Sequence, residues 1–182
     1  MPVRLIWAMN VAPPYRLPVW DELARQLDLE VWLLSANEHN RRWALPRNRN
    51  FAVRHLRTVG VPRGESVHYV LTQPLGRKAP LPDVLILPGW DSPAAWQMLW
   101  WAKLRGVQTL AFNESTLESS RHTAGPVARA RRSFFRQVDG VLTVSPGSTA
   151  AVLAAGVPHS RITQVVNAVD MEMIPAPSLT GR

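Results

Sequence analysis

Glu114 is the side chain of this sequence best placed for chemistry. It follows the apolar run 107–112 (VQTLAF) and stands in the polar tetrad Asn113-Glu114-Ser115-Thr116. A carboxylate held at the end of a buried strand can orient a hydroxyl or take its proton. A loop glutamate hydrogen-bonded to nearby N–H groups is the plainer alternative. Ser115 offers a hydroxyl beside it, and Arg121 and His122 follow closely enough to share a cleft. Asp91, in Gly89-Trp90-Asp91, is a second carboxylate, although Asp91-Ser92-Pro93 also has the form of a helix start. There a capping oxygen is followed by a proline where no N–H is needed. Trp90 presents an indole for stacking on a glycan or a lipid. Asn10, Tyr15 and Arg16 belong to the first loop, NVAPPYRLP. Arg16 can meet a ligand phosphate there, or simply be solvated.

Other chemistries are excluded by what is missing. The chain has no cysteine, so disulfides, thiolate metal sites and cysteine nucleophiles are ruled out, which fits a cytoplasmic location. No Asp-x-Asp or His-rich cluster suggests a metal, and none is expected. The first loop lacks glycine, and Pro13 and Pro14 have no N–H to donate. It is therefore no phosphate cradle for a dinucleotide, and no cofactor is expected. The net charge is +8, carried almost wholly by arginine. Arginine favours planar contacts with phosphate and carboxylate, although an arginine-rich composition alone gives the same count. No nucleic-acid-binding motif accompanies the arginines, and no nucleic-acid partner is expected.

The elements that must position these residues follow from periodicity. Segments 3–9, 29–34, 83–87, 107–112, 140–144 and 161–166 are strand-like; 51–59 alternates apolar and polar, and 66–71 is a further strand candidate. Helices are predicted from Pro18 to Leu27, over 94–105 with Gly106 as its stop, over 126–138, and from Ser145-Pro146 to Gly156. Residues 35–50 form a polar loop. The alternation predicts an α/β, Rossmann-like, doubly wound and mostly parallel sheet. Ligands bind such sheets beyond the carboxyl ends of the strands, which selects the loops at Asn10–Arg16, Gly89–Asp91 and Asn113–Thr116.

Two helices carry further signals. Trp96, Trp100 and Trp101 lie on a helix that is apolar nearly all round, as a core helix is; a sugar-stacking platform is the sharper alternative. The helix over 126–138 (PVARARRSFFRQV) places Val127, Ala130, Phe134 and Val138 on one face, and Arg129, Arg132 and Arg136 on another. Such a face suits an anionic membrane surface or plain solvent. No apolar run approaches the ~18 residues of a membrane span, and the first residues are too short for a signal peptide. A soluble or surface-bound protein is expected, in the cytoplasm or at the inner face of the cell membrane.

The last third supplies a resemblance. Asp139-Gly140-Val141-Leu142-Thr143-Val144-Ser145-Pro146 precedes a helix of small residues. It is followed by Gly156-Val157-Pro158, Arg161-Ile162 and Val165-Val166-Asn167-Ala168-Val169-Asp170. Order and spacing resemble the end of the N-terminal domain of GT-B glycosyltransferases of the family 4 type, with Ala168 where glycine is usual. The first loop, Gly89-Trp90-Asp91 and Asn113-Glu114-Ser115-Thr116 resemble members acting in polysaccharide and envelope assembly. The resemblance implies a single N-terminal domain over 1–170 that binds the acceptor, with 171–182 a tail or the start of an interdomain linker. On that resemblance the donor-gripping C-terminal domain is expected to lie outside these residues. Many members have a histidine near Glu114, where this chain has none. The Glu-x7-Glu spacings at Glu22, Glu30 and Glu38 lie at the wrong end of the fold to grip a donor. Transfer of a hexose from a nucleotide sugar, as substrate, to a glycan or lipid-linked acceptor is implied, with a separate donor-binding subunit as partner. The alternatives are a non-catalytic acceptor- or membrane-binding subunit, an inactive truncated form, and a nucleotide-sugar epimerase on the same architecture.

Overall fold

The computed structural model describes residues 2–36, 49–63, 66–76, 81–119 and 124–168. His122, Arg121 and the segment 171–182 lie outside the described residues. The predicted parallel sheet is present: seven strands in the order β3-β2-β1-β6-β7-β8-β9, beside a two-stranded β4-β5 hairpin. Strands β1 (Arg4–Met9) and β2 (Asp28–Leu33) flank helix α1 (Leu17–Ala24), and β3 (Ala52–His55) forms the edge. On the other side of β1 come β6 (Val84–Leu87), β7 (Gln108–Asn113), β8 (Gly140–Thr143) and β9 (Ile162–Gln164). Helices α2 (Pro93–Lys103), α3 (Gly125–Gln137) and α4 (Pro146–Ala154) connect them. Every pairing in the large sheet is parallel.

Period-2 alternation sends successive side chains to opposite faces. In β1, Leu5 and Trp7 join Leu29, Val31, Leu33, Trp20 of α1 and Phe51 in one core. Ile6 and Ala8 join Trp32, Leu85 and Leu87 in the other, with α2, Phe134 and Phe135 of α3 and Val152 of α4. A sheet covered on both faces explains why β1 after Arg4, and β6 throughout, are apolar without interruption.

The strand predicted over 51–59 is two strands running different ways. β3 pairs in parallel with β2, whereas β4 (Thr58–Arg63) leaves the sheet and pairs antiparallel with β5 (Ser66–Leu71). Tyr69 and Leu71 anchor the hairpin in the core. Its β5 edge is satisfied by helix side chains in place of a neighbouring strand. The Ser92 hydroxyl accepts from the Tyr69 N–H at 2.7 Å and donates to the Tyr69 carbonyl at 2.8 Å. The Gln97 amide does the same at Leu71, at 2.8 and 3.3 Å. Ser92 thus stands at the N-cap of α2 but makes no capping bond. By contrast, Ser145 and Ser148 form a complete capping box on α4.

The core-helix expectation for α2 is met on one side only. Ala94, Ala95, Met98, Leu99, Trp101 and Ala102 are buried, whereas Trp100 and Leu104 face solvent. In α3 the inward face is also shifted: Ala128, Phe134, Phe135 and Val138 are buried, and Ala130 is exposed. Arg129 and Arg136 are exposed and Arg132 half-buried.

Candidate functional site

The strand order reverses between β1 and β6, the place where such sheets open a crevice. A cleft of about 1050 Å³ lies there, along the carboxyl ends of β1, β6 and β7. Asn10 contributes from β1, Trp90 and Asp91 from the β6–α2 loop, and Asn113, Glu114 and Ser115 from the end of β7. The three loops selected from sequence therefore converge. Gly89, at φ +117°, supplies the left-handed turn that carries Trp90 into the wall. The Trp96 indole N–H donates to the Trp90 carbonyl at 2.8 Å and fixes that turn.

Glu114 is held from behind. Arg16 Nη2 donates to Glu114 Oε1 at 2.7 Å, across 98 residues of sequence. Asn167 Nδ2 donates to the same oxygen at 3.3 Å. Arg16 sits on a short 3-10 turn, Pro14–Arg16, and is only 2% exposed. Its guanidinium lies 4.5 Å from the Phe112 ring centroid, 5.6 Å from Tyr15 and 5.9 Å from Trp7. Aromatic faces replace some of the hydration a buried cation loses. Arg16 is therefore not the solvated loop residue that its setting among prolines allows, and neither it nor Tyr15 lines the cleft. Its Nε and the Asn10 Oδ1 are buried with no hydrogen-bond partner. Asn113 donates to the carbonyls of Ser115 and Ser148 at 3.0 and 3.4 Å, which ties the Glu114 loop to α4.

Further wall residues are not among those singled out from sequence. Arg131, His68 and Phe135 all line the cleft, and Trp96 of the tryptophan-rich helix joins them. Arg131 lies one turn from Val127 and one turn before Phe134 on α3, and it lines the cleft together with Val127 and Ala130, so the face predicted from sequence borders it. His68 Nδ1 lies 2.7 Å from the Asp91 carbonyl and fastens the hairpin to the lip of the cleft. On the outer rim, hydrogen bonds from the Thr116 hydroxyl and from its own N–H hold the Glu118 carboxyl below the usual range. Arg129, Arg132 and Arg136 are not brought to the cleft. Among the described residues no group of His, Asp or Glu is clustered to hold a metal ion. Nor is any described helix long and apolar enough to cross a membrane.

No protein-family model and no curated protein matches the chain. Among solved structures, Anabaena HepE (Alr3699), determined in complex with UDP, is similar with a TM-score of 0.56 and 16% identity. The match covers 94% of this chain and 45% of that one. At that identity the likeness is one of fold, and this chain spans less than half the length of its neighbour.

Proposed function

We propose that the chain is the acceptor-side half of a glycosyltransferase, moving a hexose from a nucleotide sugar to a glycan or lipid-linked acceptor. One observation carries the reading. Glu114 stands at the switch-point cleft with Oε1 occupied by Arg16 and Asn167, so that Oε2 is the oxygen left to orient an incoming hydroxyl. The aromatic wall of Trp90, Trp96, Phe112 and Phe135 suits the apolar face of a sugar ring. Asn10, Asp91 and Ser115 supply hydrogen bonds around its edge, and Arg131 suits an anionic group on the acceptor. HepE, similar in fold, was determined with UDP; donor binding in the present case falls to a further domain or subunit. A cytoplasmic site at the membrane's inner face follows if Arg129, Arg132 and Arg136 of α3 meet anionic lipid.

Calorimetry with UDP- and GDP-sugars on the purified chain tests the assignment. The expected result is no tight donor binding by this chain alone, with binding gained on adding the donor half. Micromolar donor affinity without it contradicts the acceptor-side role. Flotation with anionic liposomes tests the helix: replacing Arg129, Arg132 and Arg136 together should abolish binding, and unchanged binding refutes its membrane role.

A further inference from the structure

When one face of an antiparallel hairpin rests on a core, the other is ordinarily polar. The β4–β5 hairpin departs from this. Its register pairs Val59 with Val70 and Val61 with His68, and directly paired residues share a face. That face is opposite to Tyr69 and Leu71, which are buried. It carries three valines, of which Val59 and Val61 are 54% and 51% exposed. Beside it lies a recess of about 290 Å³ lined by Val61, Pro62, His68, Val70, Asp91 and Pro93. His68, Val70, Asp91 and Pro93 also line the main cleft, so the two spaces adjoin. The ionisable groups, His68 and Asp91, sit at the junction, and Val61 and Pro62 belong to the recess alone.

We infer that the recess and the outer face of the hairpin seat the hydrocarbon chain of an amphiphile whose polar head occupies the cleft. The order of chemistry along the path matches such a molecule: hydrogen-bonding groups and Glu114 in the cleft, a polar junction at His68 and Asp91, then the apolar side chains of Val61 and Pro62. The recess, at about 290 Å³, has the volume of a short hydrocarbon chain. A flexible alkyl chain gains from burial in a narrow groove, methylene by methylene. Identifying this amphiphile as the acceptor rests on the glycosyl-transfer reading; the binding itself does not.

The test uses methyl, hexyl and octyl β-glucosides below their micelle concentrations, read by calorimetry and by amide hydrogen exchange. Octyl glucoside should bind about fourfold more tightly than hexyl, as expected if about half of the surface of two added methylenes is buried. It should protect amides of both 66–71 and 113–116. Val61→Asp should remove the chain-length gain and the hairpin protection while leaving methyl glucoside unchanged. Val61→Thr, of the same shape, should reduce the gain and serves if the aspartate variant does not fold. Equal affinity for hexyl and octyl glucosides overturns the inference, as does a gain that survives both substitutions. Binding to phosphatidylcholine vesicles without any chain-length gain also overturns it, in favour of bilayer contact. Chain-length gain and hairpin protection without protection of 113–116 keep the seat and sink the acceptor reading.

Discussion

Two carboxylates, one at each end of the parallel sheet, are satisfied differently. At the amino end, Asp139 precedes β8 and its carboxylate is fully engaged. Oδ2 accepts from the Thr109 N–H and hydroxyl at 2.7 and 2.8 Å, and Oδ1 accepts from Lys103 at 2.6 Å. At the carboxyl end, Glu114 is engaged through one oxygen, while Arg16 Nε and Asn10 Oδ1 have no partner. A buried polar group without a partner costs free energy. Arg4 Nε, at the amino end, is also buried without a hydrogen bond, so the contrast lies in the carboxylates: Glu114 keeps one oxygen open to the cleft, whereas the Asp139 cluster closes on itself as a staple.

The comparison is most sharply broken at Arg16. Arg16→Ala should cost about 3 kcal/mol in urea unfolding, since it empties a space among three aromatic rings and releases Glu114. Arg16→Met should recover part of the packing without restoring the hold on Glu114. Next comes Glu114→Ala, expected to cost about 2 kcal/mol because it leaves a buried cation without its counter-charge. Glu114→Gln should cost less than half as much; a neutral alanine variant would show that the pair is ornamental. Asp139→Ala should cost about 1–2 kcal/mol through the lost Thr109 bonds, as solvent screens most of the Lys103 pairing. Unlike the Glu114 variant, it should leave glucoside binding unchanged.

Acid unfolding extends the contrast. Burial pushes the Asp139 carboxyl up, but Lys103 and the two Thr109 donors outweigh it and hold the group below its usual range. A folded value below the unfolded one means that stability is gained above the ordinary aspartate range. It is lost as pH falls through the depressed folded value. Asp139→Asn should flatten that part of the stability–pH curve, measured by urea midpoints between pH 2 and 6. The smallest expected effect is Ser145→Ala, about 1 kcal/mol from the capping box of α4, with the cleft untouched.

Much of the frame was legible because its signals are local. The apolar runs of β1, β6 and β7 and the glycine after α2 mark elements by residue type alone, and the rule about strand ends then placed Glu114 in the cleft. The hairpin was not legible in the same way. Alternation continues through 51–59, and nothing local announces that the chain leaves the sheet after β3; the turn is fixed by Ser92 and Gln97 from a helix far along the chain. The Arg16–Glu114 and Asn167–Glu114 contacts are also long-range, so residue type singled out Arg16 and Glu114 but not their pairing, and did not single out Asn167. On α3 the expected burial holds at Phe134 and Val138, but Ala128 and Ala130, two residues apart, gave no contrast between the buried and the exposed side, and Arg131, one turn from Val127, was passed over.

The most direct measurement is a two-dimensional 15N NMR titration of the chain with octyl β-glucoside. Shifts should concentrate at Asn10, the Trp90 indole, Glu114 and Ser115, with the amides of Lys103, Thr109 and Asp139 unmoved. Shifts confined to the amino end of the sheet, or spread evenly over the surface, would contradict the assignment of the cleft as the site.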